Sequence, residues 1–192
     1  MRKKESRIGS SQRKRPEQSN DLATRLYFCA QACQRAARRL LSVLEAASPD
    51  HWDCWPIISL YRQALTLYLK GIVIGPGQDY LAVKPNANRI HRRNSLSSLM
   101  NFFSKILKAV GWERVGNVEA ESGLADLTEM VILLNVMEDA DAVFFSCGEI
   151  PLLAKKLDDV LGFLHATSDA LAAMSRGTVD PDGDDSGPPI IQ

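Results

Sequence analysis

The chain has 192 residues, 45% hydrophobic and 24% charged, a globular composition long enough to bury a core within one domain. Lys plus Arg equals Asp plus Glu at 23 each, so net charge says nothing about a nucleic acid partner. No uncharged apolar run reaches about 18 residues, and no apolar stretch follows the basic N-terminus before Leu22. The expectation is therefore a cytoplasmic protein with no signal peptide and no membrane contact. Cys29, Cys33, Cys54 and Cys147 fit a reducing compartment better than a disulfide framework.

Charge is unevenly placed along the chain. Residues 1–20 carry seven Lys/Arg against Glu5 and Glu17, with almost nothing to bury, and read as a disordered basic arm. Residues 177–192 carry Asp180, Asp182, Asp184 and Asp185 without a Lys or Arg, and read as a disordered acidic tail. Between them, residues 21–176 are expected to form one helical bundle.

The first helix is expected over residues 21–47, about 40 Å long at 1.5 Å per residue. Leu22, Leu26, Cys29, Cys33, Ala36, Leu40, Leu44 and Ala47 step by three or four and are read as its buried seam. The second helix, over residues 56–74, organises the rest. Ile58, Tyr61, Leu65, Tyr68 and Ile72 form one apolar series, and Ile57, Leu60, Ala64, Leu67, Gly71 and Ile74 a second. Only Ser59, Gln63, Thr66 and Lys70 remain as a polar stripe, so this helix is buried nearly all round. Arg62 and Lys70 argue against a lipid environment and read as ends of that stripe.

Gly75-Pro76-Gly77 stops the helix, and residues 75–93 show no clear period, a length at which loops are often functional. A third helix is expected over residues 95–110, capped by Asn94 or Ser95 and ended by Gly111. A fourth follows over residues 122–137, with Leu124, Leu127, Val131 and Leu134 inward and an acidic flank. A fifth spans residues 151–176, with Leu153, Leu157, Val160, Leu164, Leu171 and Met174 inward. Five helices and no competing strand pattern imply an all-α, up-and-down bundle.

No metal site is expected. Cys29 and Cys33 share a helix face, but zinc needs about four ligands and no matching His or Cys pair is present. The acidic residues around the fourth helix spread over its surface without a partner His. The densest chemistry is Arg89, His91, Arg92 and Arg93, with Asn94 and Ser95 following at a helix start. Such a cationic cluster attracts phosphate, and a histidine there can move protons near neutral pH. The competing reading is a solvated basic loop leading into a helix.

Trp55-Pro56 leading into Tyr61-Arg62-Gln63-Ala64-Leu65-Thr66-Leu67-Tyr68-Leu69-Lys70-Gly71 resembles the "WP…YR.ALELYLKA" helix of the HEPN superfamily (higher eukaryotes and prokaryotes nucleotide-binding domain). Asn94-Ser95-Leu96-Ser97-Ser98-Leu99 is similar to that family's "H-[DNS]-L-x-x-L" helix start. The resemblance implies a helical bundle that is usually a homodimer. Its members are often metal-independent ribonucleases of toxin–antitoxin or defence systems, without a cofactor, paired with an antitoxin or nucleotidyltransferase-like partner. The family signature is an Arg followed, four to six residues on, by a His. By position Arg89 matches the Arg and Asn94 falls where the His belongs. An amide does not titrate, so Asn94 cannot accept a 2′-hydroxyl proton. His91 is the nearby substitute, and shares a face with Asn94 only if the helix begins early. The family's Arg-Tyr-Pro element retains only Pro151.

Three readings follow. A degenerate, non-catalytic HEPN-like module would bind RNA, nucleotide or a protein partner. A ribonuclease would use Arg89 and His91, with Arg92 and Arg93 on phosphate. A purely structural protein would dimerise through its helices.

Overall fold

The computed structural model describes residues 16–46, 54–92, 95–111, 118–139 and 149–177. Among them are six α-helices and no strand: α1 (Pro16–Ala46), α2 (Trp55–Ile74), α3 (Ala87–His91), α4 (Leu96–Val110), α5 (Val118–Asp139) and α6 (Ile150–Gly177). A 3-10 turn, Pro76–Tyr80, follows α2. The bundle and its five long helices agree with the periodicity. The 3-10 turn and α3 do not: both lie in the stretch read as aperiodic, because five residues are too few to establish a helical repeat.

The α2 helix is the axis of the core. Every member of its two apolar series is buried except Leu60, which is half-buried. It alone among the described residues is long and apolar enough to cross a membrane, and 78% of that apolar window is covered by the rest of the fold. Burial by protein accounts for its composition. The polar stripe is mostly closed as well. Thr66 is 2% exposed and returns its hydroxyl to the Arg62 carbonyl at 2.9 Å. Lys70 is 4% exposed, so it is not the solvated end of a stripe.

The α1 helix packs antiparallel to α2, with Ala23 beside Gly75 and Tyr27 beside Gly71. Its buried residues are Ala23, Leu26, Ala30, Ala37 and Leu44. The seam read from periodicity is therefore rotated: Cys29 is exposed, Cys33 half-buried and Leu40 42% exposed. The reason is close approach. A Cβ on Gly71 would lie 2.6 Å from the Tyr27 ring, and one on Gly75 would lie 2.8 Å from the Ala23 methyl. At that spacing the Tyr27 ring lies over Gly71 and the small Ala23 fits beside Gly75, and these two contacts fix how α1 is turned.

The α6 helix lies antiparallel to α1, tied by Ser168 to Tyr27 at one end and by Asp158 to Gln34 and Arg38 at the other. It also runs antiparallel to α5, where Phe163 lies over Gly123 and Lys156 reaches Glu129 at 3.3 Å. Met174, expected inward, is 42% exposed near the end of α6. The α4 helix begins at Ser95, whose Oγ accepts the Ser98 amide at 3.3 Å, and ends at Gly111 in the left-handed conformation (φ 70°). Leu96, Leu99, Phe103, Ile106 and Leu107 fix it to the core, with Phe103 edge-on to Phe163.

Candidate functional site

The cationic cluster is carried by α3, and a single turn of helix needs help to hold. Asn86 supplies it at the N-terminus. Its side chain accepts the Asn88 amide at 3.0 Å, and its carbonyl accepts the amides of Arg89 and Ile90 at 2.9 and 3.0 Å. Ile90, 2% exposed, plugs the turn into the core. At the C-terminus the Lys70 ammonium donates to the His91 carbonyl at 2.8 Å. A cation at the end of a helix meets its partial negative charge and an otherwise orphan carbonyl. Burial lowers the Lys70 pKa from its ordinary value.

This anchoring sets where the charged side chains stand. At about 100° per residue, Arg89 and His91 flank Ile90 about 200° apart around the turn. Arg92 continues in helical conformation, so it stands one turn from Arg89 on the same side. Arg89, His91 and Arg92 are all exposed. By helix geometry Arg89 and Arg92 fall about 60° apart, with His91 about 100° from Arg92. Arg93 and Asn94 lie outside the described residues. Among the described residues His91 ends α3, and α4 starts after its Ser95 cap.

Two features here went unread in the sequence. The first is Lys70, which periodicity places correctly but whose partner, a backbone carbonyl, leaves no trace in residue identity. The second is a polar clasp between α1 and α6. Asp158 accepts from Gln34 Nε2 at 2.8 Å and from Arg38 Nε at 2.9 Å. The hydrogen bond to Asp158 raises the Arg38 pKa, with desolvation acting against it. Tyr61 of α2 is buried beside the pair; desolvation, helped by the Asp158 charge, pushes its phenol upward. Similar burial raises Tyr27, whose hydroxyl accepts from Ser168 Oγ at 2.8 Å, and Tyr68, which packs 5.8 Å from Tyr27. Three tyrosines kept neutral along the α1–α2–α6 seam are structural members. Among the described residues, no three His, Cys, Asp or Glu side chains gather as a metal site would require.

Compared with protein-family models, with curated proteins and with solved structures, the chain matches none. Function must be argued from the site itself.

Proposed function

We propose that this chain is a HEPN-like helical module that binds RNA phosphates through Arg89 and Arg92 without cleaving the RNA. The observation that carries the reading is the α3 turn. Arg89 and Arg92 are both exposed and one helical turn apart, on a turn held by Ile90 in the core and by Lys70 at its end. Guanidiniums suit phosphate because their planar forks donate two parallel hydrogen bonds. His91 falls about 200° from Arg89, the residue at the family's arginine position, so that pair does not converge on one reacting atom. In-line attack by a 2′-hydroxyl needs both within hydrogen-bond reach of a single phosphate. The Asn94 found where the family places its histidine supports the same reading. The dimer and the antitoxin-type partner that the resemblance implies belong to the proposal on that ground alone.

The test is fluorescence anisotropy of a labelled single-stranded RNA, with a parallel cleavage assay in EDTA. Salt-sensitive binding that weakens when Arg89, Arg92 and Arg93 are replaced by Ala is the expected result, with the RNA intact. Binding indifferent to the triple substitution would remove the site. Cleavage abolished by His91→Ala would replace the binding reading with the ribonuclease.

A further inference from the structure

Two exposed helix faces on this fold carry large apolar side chains together with charges of opposite sign. The first is on α1. Phe28, Ala32, Arg35, Arg39 and Val43 are all exposed, and by helix geometry they fall within about 80° of one another. Phe28 and Val43 are each 66% exposed. Arg35 and Arg39 form no ion pair among the described residues, whereas Arg25 and Arg38 on the same helix hold Asp21 and Asp158. The second face is on α5, a helix without a Lys or Arg. Glu121, Ala125, Glu129, Ile132 and Val136 are all exposed and fall within a similar arc of about 80°. Ile132 is 59% exposed and Val136 58%. Neither face suits a copy of itself. A centred α1–α1 pairing would set Arg35 and Arg39 against their own equivalents, and a centred α5–α5 pairing would do the same to Glu121 and Glu129.

We propose that the α1 face of one copy of this chain docks antiparallel on the α5 face of a second copy. Charge is the first support: the guanidiniums without an ion pair lie on one face and exposed carboxylates on the other. Order is the second. From Phe28 the α1 face advances by steps of four, three, four and four, and from Val136 backwards the α5 face has the same steps. Antiparallel alignment therefore sets Phe28 by Val136, Ala32 by Ile132 and Arg35 by Glu129, with Arg39 within reach of Glu121 and Glu129. Parallel alignment would set Phe28 against Glu121 and Arg39 against Ile132, so the charge order selects the direction. Glu129 accepts Lys156 of α6 on Oε1 at 3.3 Å, and both side chains are exposed, so a guanidinium can join that carboxylate from outside. The exposed Leu152 lies one turn before Lys156 on α6 and extends the apolar surface at the Ile132 end. The contact is independent of the RNA-binding reading, since neither face includes α3.

The experiment is sedimentation velocity on the nuclease-treated full chain across the micromolar range. Wild type should associate reversibly, with at least two chains per particle. Arg35→Glu with Arg39→Glu should raise the dissociation constant at least about tenfold, and so should Glu121→Arg with Glu129→Arg, since each change sets like charges together. An equimolar mixture of the two variants should recover wild-type association, because every face again meets its opposite; that recovery also shows that both variants are folded. A wild-type chain that stays monomeric throughout would overturn the proposal. So would variants that each associate as wild type does, or a mixture that fails to recover. Loss with the arginine variant and none with the glutamate variant would pair α1 with something other than α5, and would overturn it too.

Discussion

The Lys70 ammonium, buried in the α2 helix, donates a 2.8 Å hydrogen bond to the carbonyl of His91 at the end of α3. The most buried helix of the fold therefore holds the turn that displays the arginines. Lys70→Met keeps the aliphatic stem and removes the donor. The net worth of a hydrogen bond to a charged group is about 1.5–3 kcal/mol, and much of it here is spent on local order in α3. Amides of Ile90 and Arg92 should exchange with deuterium about tenfold faster in the variant, a change of about 1.4 kcal/mol in local opening. Unaltered exchange at those amides would mean that Ile90 packing alone holds the turn.

The same lysine gives a pH signature. Burial lowers its pKa in the folded chain below the ordinary 10.5. Between the lowered value and 10.5 the unfolded chain binds more protons at this site than the folded one, so this group's contribution to stability rises with pH there. Below that window the cost of burying the charge is fully present. The raised tyrosines act in the opposite direction once pH passes the ordinary phenol value of 10.0, since the unfolded chain loses those protons first. Comparing wild type with Lys70→Met cancels the tyrosines. The stability difference between the two, measured by urea unfolding from about pH 8 upward, should shift in favour of wild type as pH rises towards 10.5. A difference constant across that range would contradict a depressed Lys70.

The α1–α2 contact depends on the absence of a side chain at Gly71. A methyl there would lie 2.6 Å from Tyr27 Cε1, and that ring is held by its hydrogen bond with Ser168 and by Tyr68. The neighbour cannot swing aside cheaply, so Gly71→Ala should destabilise by about 1–3 kcal/mol despite the better helix propensity of alanine. With Tyr27→Leu already in place, the added loss from Gly71→Ala should shrink, giving a non-additive double-mutant cycle in urea unfolding. Additive losses would show that the clash lies elsewhere.

Much of this fold was legible because helices report themselves by period. The two apolar series of α2, the Ser95 cap and the Gly111 stop all appear where spacing and residue chemistry place them. The α1 seam was misplaced in part for a physical reason: periodicity does not register that Gly71 and Gly75 open α2 to Tyr27 and Ala23, which fix how α1 is turned. Gly71 in α2 and Gly75 just after it are where Tyr27 and Ala23 approach, and their lack of side chains was the available signal for that close contact. The site was less legible than the fold. Arg89, His91 and Arg92 could be named from their density in the sequence, but which of them share a side depends on α3, a turn too short to announce itself.

The Asp158 clasp separates two kinds of loss. Arg38 is 55% exposed, so Arg38→Ala should cost only about 0.2–1 kcal/mol. Asp158 is 23% exposed and serves Gln34 and Arg38 beside the buried Tyr61. Asp158→Ala leaves the half-buried Gln34 donor unmet as well as breaking the Arg38 pair, and should cost about 1–3 kcal/mol, clearly more than the arginine change. Equal effects in thermal or urea unfolding would show that the clasp acts as a surface ion pair.

The arrangement on α3 also predicts how RNA binding divides among its residues. Each phosphate contact to single-stranded RNA contributes about 0.7 to the slope of log K against log salt. Arg89→Ala and Arg92→Ala should each reduce that slope by about 0.7, because the two side chains stand one turn apart and meet neighbouring phosphates. His91→Ala should leave the slope near the wild-type value, since its side chain lies on the opposite flank from Arg89. Ile90→Ala is the sharper test. It retains every charge but frees the turn from the core, and affinity should fall as far as in the double arginine variant. Were Ile90→Ala to bind RNA as wild type does, the local density of arginines and not the fixed α3 turn would be the recognition element.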